Sequence, residues 1–234
     1  MRQHPQTARE RLIVALDFAT SDAALAMADR LRGLAGFFKV GKQLFTAEGP
    51  GLVRQLVARG DKVFLDLKFH DIPNTVRSAV KAAASLGVSL IDVHASGGPA
   101  MMRAAVEAAA ETGITAVAVT VLTSMDQREL AAVGFPDPPE RLVLRLAKLA
   151  LESGLAGVVA APPEVGMLRR ELGNDFLIVT PGIRFDASHR QDQQRIGAPE
   201  QAVRSGADFI VVGRPITQAE DPAAVARSIL QVLE

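Results

Sequence analysis

The chain has 234 residues, 26 Lys and Arg against 26 Asp and Glu, no Cys, no Trp, no Tyr and 10 Phe. That length suits one α/β domain of the larger kind, and 48% hydrophobic with 22% charged residues describes a globular chain, neither disordered nor fibrous. Zero net charge and the missing Trp and Tyr speak against nucleic-acid binding, while the missing Cys excludes disulfides, thiolate metal sites and thiol nucleophiles.

The first ten residues, MRQHPQTARE, are polar and lack the apolar stretch of a secretory signal; they are expected to form a flexible tail. From residue 11 onward, short β-branched runs alternate with longer Ala- and Leu-rich segments. The predicted strands are RLIVALD (11–17), FFKVGK (37–42), KVFLDLK (62–68), LIDVHA (90–95), ITAVAVTV (114–121), GVVAA (157–161), FLIVTPGI (176–183) and FIVVGRPI (209–216). Most are near-continuous apolar runs, the pattern of parallel strands covered by helices on one side and a core on the other. Between them, 22–31 reads as a helix capped by Ser21. Pro73 opens a helix over 73–86 that Gly87 ends, and Asp221-Pro222 opens the last one. The Pro-rich GFPDPPE (134–140) is predicted as a loop, and the charged RFDASHRQDQQRI (184–196) as a mobile cover. The longest clean apolar run, 114–122, is about half a membrane span and is interrupted by threonines, so no membrane association is expected and the location should be cytoplasmic.

Eight strand–helix units without a break in composition predict a single-domain (β/α)₈ TIM barrel over 11–234. A doubly wound sheet is the rival, weakened because the first strand leads into ALDFAT (15–20) and not into G-x-G-x-x-G. In a barrel, chemistry gathers at the C-terminal strand ends. Polar residues recur there: Asp17, Lys39, Asp66 with Lys68 and Asp71, His94, Thr123 with Ser124, Arg184, and Gly213 with Arg214. Any one of them alone is ordinarily a solvated loop residue. In FLDLKFHD, however, period-two alternation puts Asp66 and Lys68 on one face and Leu65 and Leu67 on the other. That pair reads either as a structural ion pair or as part of a charged site, and Lys39 and Asp71 nearby favour the site. Arg214 has the same two readings, surface residue or anion ligand. His70 and His94 end adjacent strands; they read as structural histidines beneath the site or, with Asp66 or Asp92, as metal ligands, and no metal is the expectation.

DLKFHDIPNT (66–75) resembles the D-x-K-x-x-D-I-x-x-T motif of the orotidine 5′-phosphate decarboxylase family. ALD at 15–17, KVG at 39–41, VLTSM at 121–125, TPGIR at 180–184 and VVGRPIT at 211–217 are similar to further family segments, in the same order and nearest to the shorter bacterial form. The resemblance implies a homodimer of (β/α)₈ barrels with active sites shared across the interface, using no cofactor and no metal, with orotidine 5′-monophosphate as substrate and UMP as product. Lys68 would be the proton donor, flanked by Asp66 and by the partner subunit's Asp71, with Lys39 completing the charged array and Asp17 near the ribose. The partner's Ile72 and Thr75 would reach the same site, and the rest of the motif segment, Leu67, Phe69, His70, Pro73 and Asn74, joins the substrate-site candidates. Thr123 and Ser124 would meet the pyrimidine; Arg184, Gln193, Gly213 and Arg214 would gather at the phosphate.

The residue types suit that chemistry. Loss of CO₂ from C6 of orotate leaves an electron pair that the ring π system cannot delocalise, so an ammonium beside that carbon is the natural stabiliser. Two other readings share part of the pattern. A Mg²⁺-dependent keto-sugar-phosphate decarboxylase or synthase of the same superfamily would need Asp66, Lys68 and Asp71 but not LTSM or the 184–196 loop. A barrel that only binds nucleotides would have no use for four crowded charges.

Overall fold

The computed structural model describes residues 4–184 and 195–234. Its strands are β1 (Leu12–Ala15), β2 (Phe37–Gly41), β3 (Val63–Phe69), β4 (Leu90–His94), β5 (Thr115–Val119), β6 (Gly157–Val159), β7 (Leu177–Thr180) and β8 (Phe209–Val212). Each pairs in parallel with the next, and β8 returns to β1 with Leu12 opposite Ile210, closing the (β/α)₈ barrel that the alternation predicts. Along each strand, successive side chains serve two separate cores. Ile13, Phe64, Leu90, Val117, Leu177 and Phe209 fill the barrel, while Leu12, Val14, Leu65, Ile91, Ile178 and Ile210 pack outward under the helices. Both sets are buried, which is why the runs are unbroken in the sequence rather than alternating.

Several boundaries differ from the sequence reading for identifiable reasons. The first long helix is Ser21–Arg30, and its cap is Thr20, whose hydroxyl accepts the Ala23 N–H; Ser21 is already helical. The 134–140 loop ends at Pro138, because Pro139 opens the helix Pro139–Glu152 with its φ already fixed. β8 stops at Val212. Gly213 then caps a helical turn, Arg214–Thr217, in which Pro215 fits the first turn but would have no N–H to give a sheet. Pro73 and Asp221 open their helices, Pro73–Ala84 and Pro222–Leu233, as expected.

From His4 onward the N-terminal segment lies against the barrel. Thr7 caps a helical turn, Ala8–Arg11; Arg9 Nε donates to the Ala35 carbonyl, and His4 Nδ1 sits 2.7 Å from Asp208 Oδ1. A Cβ on Gly36 would stand 2.4 Å from the Arg9 carbonyl oxygen, so only glycine admits this approach. Ala35 lies two residues before β2 and Asp208 one before β8, so the segment covers the end of the barrel away from the strand C-termini. Among the described residues no helix is long and apolar enough to cross a membrane.

Candidate active site

At the C-terminal ends of the strands the barrel opens into a cavity of about 700 Å³. Its walls take Asp17 after β1, Lys39 from β2, Asp66 and Lys68 from β3, Thr123 and Ser124 after β5, Arg184 after β7, and Gly213 and Arg214 after β8. Nine of the substrate-site candidates, and Asp92 with them, are thus brought to one space.

One wall carries a continuous row of charge. Lys39 Nζ lies 3.0 Å from Asp17 Oδ1 and 3.3 Å from Asp66 Oδ2, and Lys68 Nζ pairs with the other oxygen of Asp66. Past the end of the row, Asp92 on β4 has its Oδ2 3.7 Å from Lys68 Nζ. Burial works against the charge on Lys39, but Asp66 and Asp17 outweigh it and its pKa is raised. Burial likewise opposes ionisation of Asp66, yet Lys39 and Lys68 together hold its pKa well below the usual carboxylate range. A Cβ on Gly41 would stand 2.9 Å from Lys39 Nζ, so a side chain there would push the ammonium aside.

Local backbone geometry aims Lys68. The β3–β4 register jumps from Leu65 opposite Ile91 to Phe69 opposite Val93, so β3 carries extra residues between these pairs. Within that bulge Lys68 adopts a φ of +50°, the one positive value at a non-glycine position among the described residues. Such a conformation costs roughly 1–2 kcal/mol for an L-residue and is retained where surrounding structure enforces it. In this bend the Lys68 backbone N–H donates to Asp92 Oδ1 at 2.8 Å.

The remaining members of the 66–75 motif are not brought to this cavity. Leu67 and Phe69 pack against the outer core, as the alternation of β3 requires. His70 to Thr75 are exposed past the strand end; Asp71 accepts the Ile72 N–H, and Ile72 stands 66% exposed. The His70 and His94 rings lie against each other, centroids 5.3 Å apart and tilted by 34°. Burial first, then His70 and Lys68, lower the His94 pKa to about 4. Among the described residues no group of three or more His, Cys, Asp or Glu is placed to hold a metal ion. Gln193 lies outside the described residues.

Two further residues had no signal that sequence reading could isolate. Arg195 donates from Nη2 to the carbonyls of Val121 and Leu122, and its backbone N–H reaches the Thr123 carbonyl, so it pins the loop that carries Thr123 and Ser124. Behind it, Arg195 Nη1 is 3.0 Å from Glu164 Oε1, though not aligned as a hydrogen bond. Burial pushes the Glu164 pKa up to about 7 against the opposing pull of Arg195. Between 4.5 and about 7 the folded chain therefore keeps a proton that the unfolded chain releases, and folding stability falls as pH rises through that window. Glu164→Gln should remove this loss, which amounts to ~3 kcal/mol at most. Urea unfolding of both proteins at pH 5 and pH 8 checks it, since His94 contributes equally to each; parallel pH dependence in the two proteins would refute it.

A family model described as orotidine 5′-phosphate decarboxylase / HUMPS family matches residues 10–229. An orotidine 5′-phosphate decarboxylase of Teredinibacter turnerae is 50% identical over 226 residues, covering 96% of this chain and 97% of that protein. The enzyme of the same name from Chromobacterium violaceum is 53% identical over 222 residues, covering 94% and 90%. The crystal structure of orotidine 5′-phosphate decarboxylase from Lactobacillus acidophilus superposes with a TM-score of 0.86 at 37% identity, covering 99% of this chain and all of that one.

Proposed function

The chain belongs to the orotidine 5′-phosphate decarboxylase / HUMPS family as an enzyme of the decarboxylase type, and we propose that it converts orotidine 5′-monophosphate to UMP through Lys68, without a cofactor. The observation that carries the mechanism is the placement of Lys68 in the cavity wall between two carboxyl groups, on a backbone bent to deliver it. The C6–carboxylate bond breaks, CO₂ departs, and the electron pair stays on C6 beside the Lys68 ammonium. That ammonium then gives its proton to C6, and the amine regains one from water. At about 4 Å and an effective dielectric near 20, one such contact stabilises the carbanion by roughly 4 kcal/mol, about a thousandfold in rate. The rest of the acceleration comes from the preformed charge row and from binding of the parts of the nucleotide that do not react.

Thr123 and Ser124 take the pyrimidine, Asp17 lies near the ribose, Lys39 completes the charged array, and Arg184, Gln193, Gly213 and Arg214 take the phosphate. Loops after the seventh and eighth strands are the usual phosphate cradle of this fold. A homodimer completes each site with the partner subunit's Asp71, Ile72 and Thr75. The exposure of 70–75 and of the Ile72 side chain supports that arrangement.

The direct test is loss of orotidine 5′-monophosphate absorbance with purified protein and excess EDTA. Sustained turnover supports the reading, and activity that needs added Mg²⁺ refutes the cofactor-free mechanism. Arg214→Ala should lower kcat/KM for the nucleotide about 100-fold, the scale of a charge-assisted phosphate contact, yet change turnover of phosphate-free orotidine little. Equal losses on both substrates would assign Arg214 to the fold or the pyrimidine.

A further inference from the structure

We infer that Asp92 is a positioning residue for Lys68: its Oδ1, by accepting the Lys68 backbone N–H, fixes the left-handed bend that turns the ammonium into the cavity. The inference rests on the decarboxylase reading and goes beyond it. Four observations carry it. Lys68 is the one non-glycine residue with positive φ among the described residues, and it lies inside a break of the β3–β4 ladder. The 2.8 Å bond from its N–H to Asp92 stands where a strand carbonyl would otherwise accept. Asp92 is 1% exposed, so the acceptor is held rigidly within β4. Its second oxygen, Oδ2, is buried without a hydrogen-bond partner, with Lys68 Nζ at 3.7 Å, beyond that reach.

An orphaned, buried carboxylate oxygen beside a second carboxylate is expensive, and protonation removes the expense. As a neutral acid, Asp92 keeps Oδ1 as acceptor and gains an O–H to donate towards Asp66. Facing it are Asp66 and Lys68 on β3, while its register partner on β5 is Val117, which carries no charge. Burial, then the negative charge of Asp66, raise the Asp92 pKa well above the carboxylate range. Asp92 therefore acts through geometry, leaving Asp66 as the carboxylate that balances Lys39 and Lys68.

The test compares Asp92→Asn with Asp92→Ala, measuring kcat, UMP affinity, melting temperature and the pH profile beside wild type. The amide of Asn has the shape and acceptor of the neutral acid, so Asp92→Asn should keep kcat within about threefold and leave the pH profile in place. Asp92→Ala frees the bend and should lower kcat about 100-fold, as small misplacements of reacting groups do, while UMP affinity changes by less than about fivefold. Should Asp92→Ala not fold, Asp92→Thr replaces it under the same criterion, since its hydroxyl is too short to reach the Lys68 N–H. Wild-type kcat in the variant lacking the acceptor overturns the inference. So does Asp92→Asn losing as much as Asp92→Ala, which would mean that the charge of Asp92 is what matters. An inert wild type instead overturns the decarboxylase reading, and Asp92's role with it.

Discussion

Lys68→Ala is expected to lower kcat by about five powers of ten, combining the lost Coulombic contact with the lost proton donor, each worth two to four powers of ten by itself. UMP should still bind. The product has no carboxylate and no developing charge at C6, and most of its contacts would be made by Thr123, Ser124 and the phosphate loops. An interaction that matters only in the transition state lowers kcat and kcat/KM together and leaves ligand affinity nearly unchanged. Single-turnover kinetics and calorimetric titration with UMP separate these effects. Removing Lys68 leaves Asp66 with Lys39 at 3.3 Å, so the carboxylate keeps a partner and the variant should fold. Turnover within about tenfold of wild type would refute Lys68 as both stabiliser and donor.

The sequence discloses the strands and the charged face of β3 for the same reason: in a closed barrel every strand residue has only two directions to point. Leu65 and Leu67 go to the helices, and Asp66 and Lys68 to the interior, whatever the register. What the alternation could not disclose is the break in it. Nothing about a lysine announces a φ of +50°, a conformation for which glycine or asparagine would be the signal. From the sequence Asp92 is weighed only as a metal ligand beside the histidines, because its bond to the Lys68 N–H depends on the bulge between Leu65 and Phe69. Arg195 and Glu164 escaped for another reason. They lie 31 positions apart in segments with no periodic pattern, and only closure of the barrel brings them to 3.0 Å. The end of β8 differs because apolar Pro215 and Ile216 follow the strand closely, whereas Gly213 and Pro215 decide the backbone.

Mixing two nearly inactive variants should restore activity if the site is shared between chains. Asp71 does not line its own chain's cavity and is exposed past the strand end beside Ile72, a placement that supports the proposed role in a neighbour's site. Lys68→Ala and Asp71→Ala chains are each expected to be almost inert, the first for the reasons above and the second because Lys68 loses the partner subunit's carboxylate. When the chains exchange, each mixed dimer holds one site lacking both residues and one site with both intact. Random pairing makes about half of the dimers mixed, each with one working site of two, so activity should rise to roughly a quarter of wild type for isologous two-fold pairing. Exchange itself is followed by native mass spectrometry, using a small mass tag on one variant. Mixed dimers without recovered activity would place Asp71 in its own chain's chemistry, and a monomeric mass would remove the shared site altogether. Recovery near a quarter would leave one arrangement, in which the bent strand end of each barrel supplies Lys68 inward to its own cavity and Asp71 outward to its partner's.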